Sequence, residues 1–339
     1  MTPVVLVTEK EYRKGAQIFA SVAGLDIQPA PADEAALADE VRKQRTSAVI
    51  VGVSPYRGPL YEALAETAGK GANALIARFG VGFDSIDLSQ ARTHGLFVTN
   101  TPGVLDQSVA EHTLCLIGAL ARHVAAGDAA MRRDEFPAGI GMELSGKVLG
   151  IIGFGPIGRR VARMAHLGLG MRVLAHDLLP LEVLAERAGC DLKTIGETTG
   201  VVALERHAGA VIEGADVVSL HLPALPATAH FIDAERLAGF KQGTLLINTA
   251  RGSLVDEIAL YDALDAGRLA GAALDVFEAE PYCPRLPGKD LRQLEKVVLT
   301  PHVGSSTVEA NQRMARACVA NVQAFIEGRI EDLSCVPGF

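Results

Sequence analysis

Short runs of consecutive apolar residues alternate along this chain with longer segments whose apolar positions recur every three or four residues. Such runs, four to seven residues long, predict strands buried on both faces, and the intervening periodicity predicts helices, the signature of parallel α/β architecture. Before residue 105 the candidate strands are Val4–Val7, Ala48–Val53, Ala74–Ala77 and Leu96–Thr99, separated by segments such as Glu34–Gln44 that are rich in helix formers. A second series, Val148–Gly153, Arg172–Ala175, Val217–Leu220, Leu245–Asn248, Ala272–Val276 and Val297–Thr300, predicts a six-strand sheet. Between the series, Val109, Thr113, Leu116, Ile117 and Leu120 recur at helical spacing within Asp106–Arg133, which predicts one or two long helices, and Thr307–Gly328 predicts a closing one. Two connections exceed what an αβ loop requires: the glycine-rich segment 188–215, expected to hold a small extra element, and the proline-rich segment 281–296. Each reads either as tolerated length variation or as a lid or interface element.

Composition narrows the class. A chain of 339 residues is more than twice a typical domain of about 150, so two domains are expected. Its 49% hydrophobic and 21% charged residues place it among ordinary globular proteins. A net charge of −8 without a Lys/Arg cluster argues against a nucleic-acid partner. The opening apolar run, Pro3 to Val7, meets Glu9, Lys10 and Glu11 too soon for a signal-peptide core. The longest uncharged apolar stretch, Leu114–Ala121, falls far short of the ~20 residues a membrane span needs. The five cysteines, Cys115, Cys190, Cys283, Cys318 and Cys335, never stand as Cys-x-x-Cys and fit free thiols. A cytoplasmic protein with no membrane partner is the expectation.

One turn carries a specific signal. Val148–Ile152 runs into Gly153-Phe154-Gly155-Pro156-Ile157-Gly158 and then into a helical pattern, which is Gly-x-Gly-x-x-Gly between a strand and a helix. The first glycine makes the tight turn, the second admits the pyrophosphate to the backbone, and the third allows close helix–strand packing. Nineteen residues past Gly158, Asp177 ends the next predicted strand. A carboxylate there accepts the ribose hydroxyls and repels a 2′-phosphate, and Leu178, Leu179 and Pro180 supply no arginine to reverse the choice, so NAD is favoured over NADP. Gly141–Lys147 matches the opening of a P-loop, but Val148 stands where the Mg²⁺-binding Ser or Thr belongs, and the segment precedes a strand. No Gly-x-Ser-x-Gly, His-Glu-x-x-His or His-x-His occurs, so no serine hydrolase or metal site is expected.

In a sheet that binds a dinucleotide, the ligand crevice lies beyond the C-terminal strand ends. Three candidate residues follow three separate predicted strands there: Arg251 in Asn248-Thr249-Ala250-Arg251-Gly252, Glu280 before Pro281, and His302 in Thr300-Pro301-His302-Val303-Gly304. Together with Gly80-Val81-Gly82-Phe83-Asp84, Asn100-Thr101-Pro102-Gly103, Ala110-Glu111-His112-Thr113, Asp275-Val276-Phe277 and the glycine turn, these segments make the chain resemble, over almost its whole length, the D-isomer-specific 2-hydroxyacid dehydrogenase family, with glyoxylate/hydroxypyruvate reductase and phosphoglycerate dehydrogenase relatives.

The resemblance implies an α/β fold of two Rossmann-like domains. A doubly wound NAD-binding sheet, residues 105–305, would be inserted into a flavodoxin-like substrate domain, residues 1–104 with 306–339. It implies Arg251, Glu280 and His302 as catalytic residues. Arg251 would hold the carboxylate and polarise the carbonyl of a 2-oxoacid with its rigid fork. His302 would protonate the alkoxide forming at C2, and Glu280 would fix the imidazole tautomer. Backbone N–H groups around Val81 and Gly82 would complete the carboxylate cradle across an interdomain cleft whose closure excludes water. Further contacts carried over by position are Gly153, Gly155, Pro156, Ile157 and Gly158 at the pyrophosphate, with Asp177, Pro223 and Thr228 on the ribose side. Thr249, Asp275 and Gly304 are carried over around the nicotinamide, and Thr113 as a further cofactor-binding residue. The helices from Asp106 to Arg133 resemble the element through which these enzymes dimerise, and also read as ordinary core helices.

Two departures from the family pattern narrow the reading: phosphite-oxidising relatives carry Lys where Val81 stands, and formate-oxidising relatives carry Gln where Glu280 stands. A small 2-hydroxyacid or 2-oxoacid remains as the expected partner. Arg78 reads either as a pocket residue meeting a second anion or as a surface salt-bridge partner. Phe339 falls where no appended regulatory domain follows, so amino-acid feedback is not expected. The rival class is an NAD(H)-binding corepressor-like protein with little turnover, since such relatives retain the same triad.

Overall fold

The structure, a computed structural model, describes residues 2–69 and 73–339. The chain divides into two compact units, Met1–Leu105 with Ser306–Phe339, and Asp106–Ser305. The first begins with β1 (Val4–Thr8), α1 (Glu9–Ala20), β2 (Asp26–Ala30), α2 (Glu34–Gln44), β3 (Ala48–Val51), α3 (Leu60–Ala68), β4 (Ala74–Arg78), α4 (Leu88–Thr93) and β5 (Leu96–Thr99). All its strands are parallel, in the order β2-β1-β3-β4-β5. Leu6, Val49, Val51, Ile76 and Val98 pack with Leu37, Val41, Leu60 and Leu64 in a core closed to solvent. Helix starts follow local chemistry: Asp33 accepts the Ala36 N–H at the start of α2, and Asp87 accepts those of Ser89 and Gln90 at the start of α4.

The second unit opens with α5 (Asp106–Ala121) and α6 (Val124–Met131). Its sheet is built from β6 (Val148–Ile152), α7 (Pro156–Leu169), β7 (Arg172–His176), α8 (Leu181–Arg187), α9 (Leu192–Thr199), β8 (Val201–Glu205), α10 (Ala208–Gly214) and β9 (Val217–Leu220). It continues through α11 (Ala234–Gly239), β10 (Thr244–Asn248), α12 (Glu257–Asp265), β11 (Leu269–Leu274) and β12 (Val297–Leu299). The strand order is β12-β11-β10-β9-β6-β7-β8, again wholly parallel. Chain order reverses at β6, which pairs with β7 on one side and β9 on the other, so the crevice beyond their C-terminal ends is the place such a sheet offers a ligand. The chain then returns to the first unit as α13 (Val308–Ile326), which packs on α1 and β4.

This is an α/β fold of two parallel sheets, as the apolar runs predict, with three corrections. The second sheet has seven strands instead of six, because β8 lies within the glycine-rich segment 188–215. The first contains β2, which the apolar runs do not reveal, since in Asp26–Ala30 only Ala30 is buried and Pro29 interrupts it. The strand expected at Ala272–Val276 is Leu269–Leu274, and Asp275 instead turns its side chain into a hydrogen-bond network. Among the described residues no single helix is long and apolar enough to cross a membrane, although α5 and α6 together, bent by 62°, meet the length and composition for one.

Candidate active site

The glycine turn after β6 has the form a pyrophosphate needs. Gly153 sits at φ +98° with the His221 carbonyl oxygen 2.6 Å from where a Cβ would lie. A Cβ on Gly158 would collide with the Gly153 carbonyl oxygen. Gly155 has nothing within 4 Å of its Cβ position, so its backbone faces open space, and Pro156 begins α7 at the position where a missing N–H costs nothing. Ile157 packs against the core. The start of this 14-residue helix therefore offers free N–H groups and the positive end of its dipole to an anion.

Asp177, just past β7, accepts the Phe154 N–H and the Leu179 N–H, each at 2.9 Å. Its carboxylate is thus fixed beside the glycine turn. Pro223 and Thr228 lie together beyond β9, where the Thr228 hydroxyl donates to the Pro223 carbonyl at 2.7 Å. The buried pair Thr113 and Thr249 meet hydroxyl to hydroxyl at 2.8 Å. Thr113 donates its one proton to the Val109 carbonyl, so Thr249 is the donor between them.

The strand-end residues sit on loops that lock together. Beyond β10, Asn248 braces its own turn, donating to the Arg251 carbonyl at 2.8 Å and accepting the Ala250 N–H at 3.1 Å. Gly252 next to Arg251 lies so close to the Phe277 and Glu278 backbone that a Cβ would fall on the Phe277 carbonyl carbon. The loop beyond β11 is clasped by two glutamates: the Glu257 N–H donates to Glu278 at 3.1 Å, and the Glu278 N–H donates to Glu257 at 2.7 Å. Burial pushes the Glu257 carboxyl above its ordinary value, and the nearby Glu278 charge adds to this. That loop delivers Glu280, whose one carboxylate oxygen accepts the Phe277 N–H at 3.1 Å while the other lies 2.7 Å from His302 Nδ1.

His302 itself has φ +52°, a left-handed backbone that non-glycine residues adopt at a cost of about 1 kcal/mol or more. Asp275 holds it there. Its carbonyl accepts the His302 N–H at 2.8 Å, and its carboxylate accepts the Val303 and Gly304 N–H groups at 2.9 and 2.8 Å. Thr300 and His112 reach the same carboxylate. Burial alone would push the Asp275 carboxyl up, but His112, Thr300 and the two N–H donors outweigh it and hold it below the ordinary carboxylate value.

The substrate-side candidates belong to the first unit. The Asn100 side chain donates to the Val81 carbonyl at 2.7 Å, and Gly80 before it has φ +143°. Gly82 follows, half-buried. Arg78 is 5% exposed and so is not a surface residue: it ends β4, and its guanidinium donates to the Phe79 carbonyl and lies against Gly80. Among the described residues no group of His, Cys, Asp and Glu could hold a metal ion.

A dinucleotide turn at the switch point of a parallel sheet, with an acid–base pair beyond neighbouring strands, defines a nicotinamide-dependent dehydrogenase. The family model for the D-isomer specific 2-hydroxyacid dehydrogenase NAD binding domain matches residues 114–304. A glyoxylate reductase of Korarchaeum cryptofilum is 37% identical over 336 residues, 97% of this chain and 95% of that protein. Among solved structures, a D-lactate dehydrogenase from Aquifex aeolicus complexed with NAD and lactic acid superposes with a TM-score of 0.80 at 29% identity, covering 99% of both chains. An NADPH-dependent glyoxylate/hydroxypyruvate reductase from Sinorhizobium meliloti, in complex with NADP and malonate, gives 0.78 at 28% identity over 96% of this chain and 94% of that one. The chain belongs to the D-isomer-specific 2-hydroxyacid dehydrogenase family and is an NAD-dependent enzyme that moves a hydride to or from C2 of a 2-hydroxyacid or 2-oxoacid.

Beyond the residues the motifs single out for chemistry, the site depends on His112, Thr300, Gly252, Glu257 and Glu278. His112 and Gly252 stand inside recognisable motifs, but nothing in their spacing shows that one braces Asp275 and the other seats the Glu280 loop.

Proposed function

We propose that this enzyme reduces a small 2-oxoacid of the glyoxylate or hydroxypyruvate kind with NADH, as a cytoplasmic homodimer. The contact between His302 Nδ1 and Glu280, on a loop anchored by Asp275, carries the reading, because it leaves Nε2 as the ring nitrogen available to the substrate oxygen. The nicotinamide, when bound, supplies the hydride. Arg251 binds the substrate carboxylate with two parallel N–H donors and draws charge from the carbonyl. His302 gives a proton to the oxygen on C2 as the alkoxide forms and takes it back in the oxidative direction. Glu280 holds the imidazole in the tautomer this requires. Asp177 accepts the ribose hydroxyls, and the N-terminus of α7 takes the pyrophosphate. Val81 and Gly82, in the first unit, are read as substrate-binding residues, a role supported by the anchoring of their loop through Asn100. Arg78 stands beside that loop.

The names of the relatives support the substrate class: one is a glyoxylate reductase and another a glyoxylate/hydroxypyruvate reductase. Exposed apolar side chains on and after α6 support the dimer, Phe136 at 91% and Ile140 at 94% exposure among them. The free thiols, with Cys115 and Cys283 exposed, suit a reducing compartment. The test is the initial rate of cofactor oxidation with glyoxylate, hydroxypyruvate, pyruvate and a phosphorylated 2-oxoacid, each run with NADH and with NADPH. Turnover with NADH, highest for one of the first two, is expected. Flat traces despite tight NADH binding would favour a regulatory, corepressor-like protein instead.

A further inference from the structure

The carboxylate that mounts the proton donor has a partner outside the acid–base pair. His112 lies on α5, and its Nε2 is 3.1 Å from Thr300 Oγ1 and 3.3 Å from Asp275 Oδ1. The Thr300 hydroxyl has a single proton, and its 2.6 Å contact with Asp275 Oδ1 uses it, because an ionised carboxylate can only accept. Thr300 must therefore accept from His112, and the His112 proton is on Nε2. The result is a directed relay, His112 Nε2–H to Thr300 Oγ1–H to Asp275, ending on a carboxylate that is 1% exposed. From that carboxylate the Val303 and Gly304 N–H groups hang, and Asp275 main chain takes the His302 N–H. His302 is the residue in the left-handed backbone, a conformation that lasts only where its surroundings over-determine it.

We infer that His112 is a positioning residue for proton transfer: through Thr300 and Asp275 it steadies the loop that aims the His302 imidazole. The assignment rests on the proposed role of His302. His112 exchanges no proton with substrate in this scheme. Hydrogen bonds in such a chain polarise and orient one another, so removing the first donor loosens the last. Acid–base catalysis is sensitive to that looseness, since a misplacement of about 1 Å can cost ~10²-fold in rate.

The test compares the full-length wild type with His112→Ala and His112→Gln. Steady-state NADH oxidation with glyoxylate is measured in H2O and D2O, and NADH affinity by fluorescence titration. For His112→Ala, kcat is expected to fall about tenfold with a larger solvent isotope effect, while the glyoxylate KM and NADH Kd stay within about twofold. His112→Gln keeps an N–H donor near the Nε2 position and is expected to recover kcat to within about threefold of the wild type. Unchanged kcat in the alanine variant, or an equal loss in both variants with weakened NADH binding, would overturn the assignment. Should the alanine variant not fold, Thr300→Val removes the relay hydroxyl at similar volume: reduced kcat with unchanged affinities supports the inference, and unchanged kcat overturns it. A wild type inert toward every 2-oxoacid would overturn the functional reading and this assignment with it, whereas an active wild type with unaffected variants sinks the assignment alone.

Discussion

His302 Nδ1 lies 2.7 Å from one carboxylate oxygen of Glu280, and the other oxygen of that carboxylate accepts the Phe277 N–H at 3.1 Å. Both oxygens of Glu280 are committed, one to aiming the imidazole and one to the loop that carries the carboxylate. His302→Ala should therefore lower kcat by roughly 10²–10⁴-fold, the usual worth of a positioned acid–base group. NADH affinity, followed by fluorescence titration, should hold, and a retained kcat would remove His302 from the reaction.

Asp177 has two duties. It anchors the Phe154 and Leu179 N–H groups, and its charge opposes a 2′-phosphate. Asp177→Asn loses the charge and keeps one of the two acceptor oxygens, so one of the two backbone N–H groups loses its partner as well. The ratio of kcat/KM for NADH over NADPH should fall about tenfold, a change of roughly 1.4 kcal/mol. An unmoved ratio measured with both cofactors would assign ribose selection elsewhere.

Gly252 seats the Arg251 turn against the Phe277 and Glu278 backbone, with no room for a methyl group. Gly252→Ala should cost about 1–3 kcal/mol of stability, as overpacking does. It should also depress kcat, because the backbone it displaces leads directly to Glu280. Thermal unfolding and steady-state kinetics on the same preparation check both effects, and loss of one without the other would argue against this coupling.

Glu257 is 4% exposed, and its Oε2 has no hydrogen-bond partner among the described residues. Its carboxyl is raised by burial, so the folded state binds the proton more tightly than the unfolded chain. What this residue contributes to stability is therefore fully present below the unfolded value of about 4.3, and is lost as pH rises through the folded value. Glu257→Gln removes the titration and keeps the Glu278 N–H bonded. It should stabilise the protein at pH 8 relative to the wild type, an advantage that fades toward pH 4. Unfolding midpoints at the two pH values decide it, and a gain independent of pH would exclude the titration.

Phe136 and Ile140 are almost wholly exposed. Phe136→Ser with Ile140→Ser should shift a homodimer toward monomer by about tenfold or more in dissociation constant, read by sedimentation. A dimer of unaltered affinity would put its interface on another surface.

Much of this was legible in the order of residues. Parallel strands buried on both faces need continuous apolar runs, so β1, β3 to β7 and β9 to β12 show in the sequence, some with ends displaced. The strand β2 stays hidden because it lies at a sheet edge, half-covered and free to carry Asp26, Gln28 and Pro29, whereas β8 is a short apolar run, Val201–Leu204, set among the glycines of segment 188–215. The glycine turn and the acid just past β7 are legible because a strand, a tight turn and a helix start impose their residue types locally.

The fold class and the dinucleotide turn follow from short-range constraints in the chain, and motifs at fixed spacing single out Arg251, Glu280 and His302 as candidates. Tertiary structure decided which groups hold those residues in place. His112 and Thr300 are 188 residues apart and meet on Asp275 at the C-terminal ends of two strands; Glu257 and Glu278 cap each other across 21. Such partnerships depend on which strand ends become neighbours, and that is set by the packing of the whole sheet, where no local pattern of residue types can specify it.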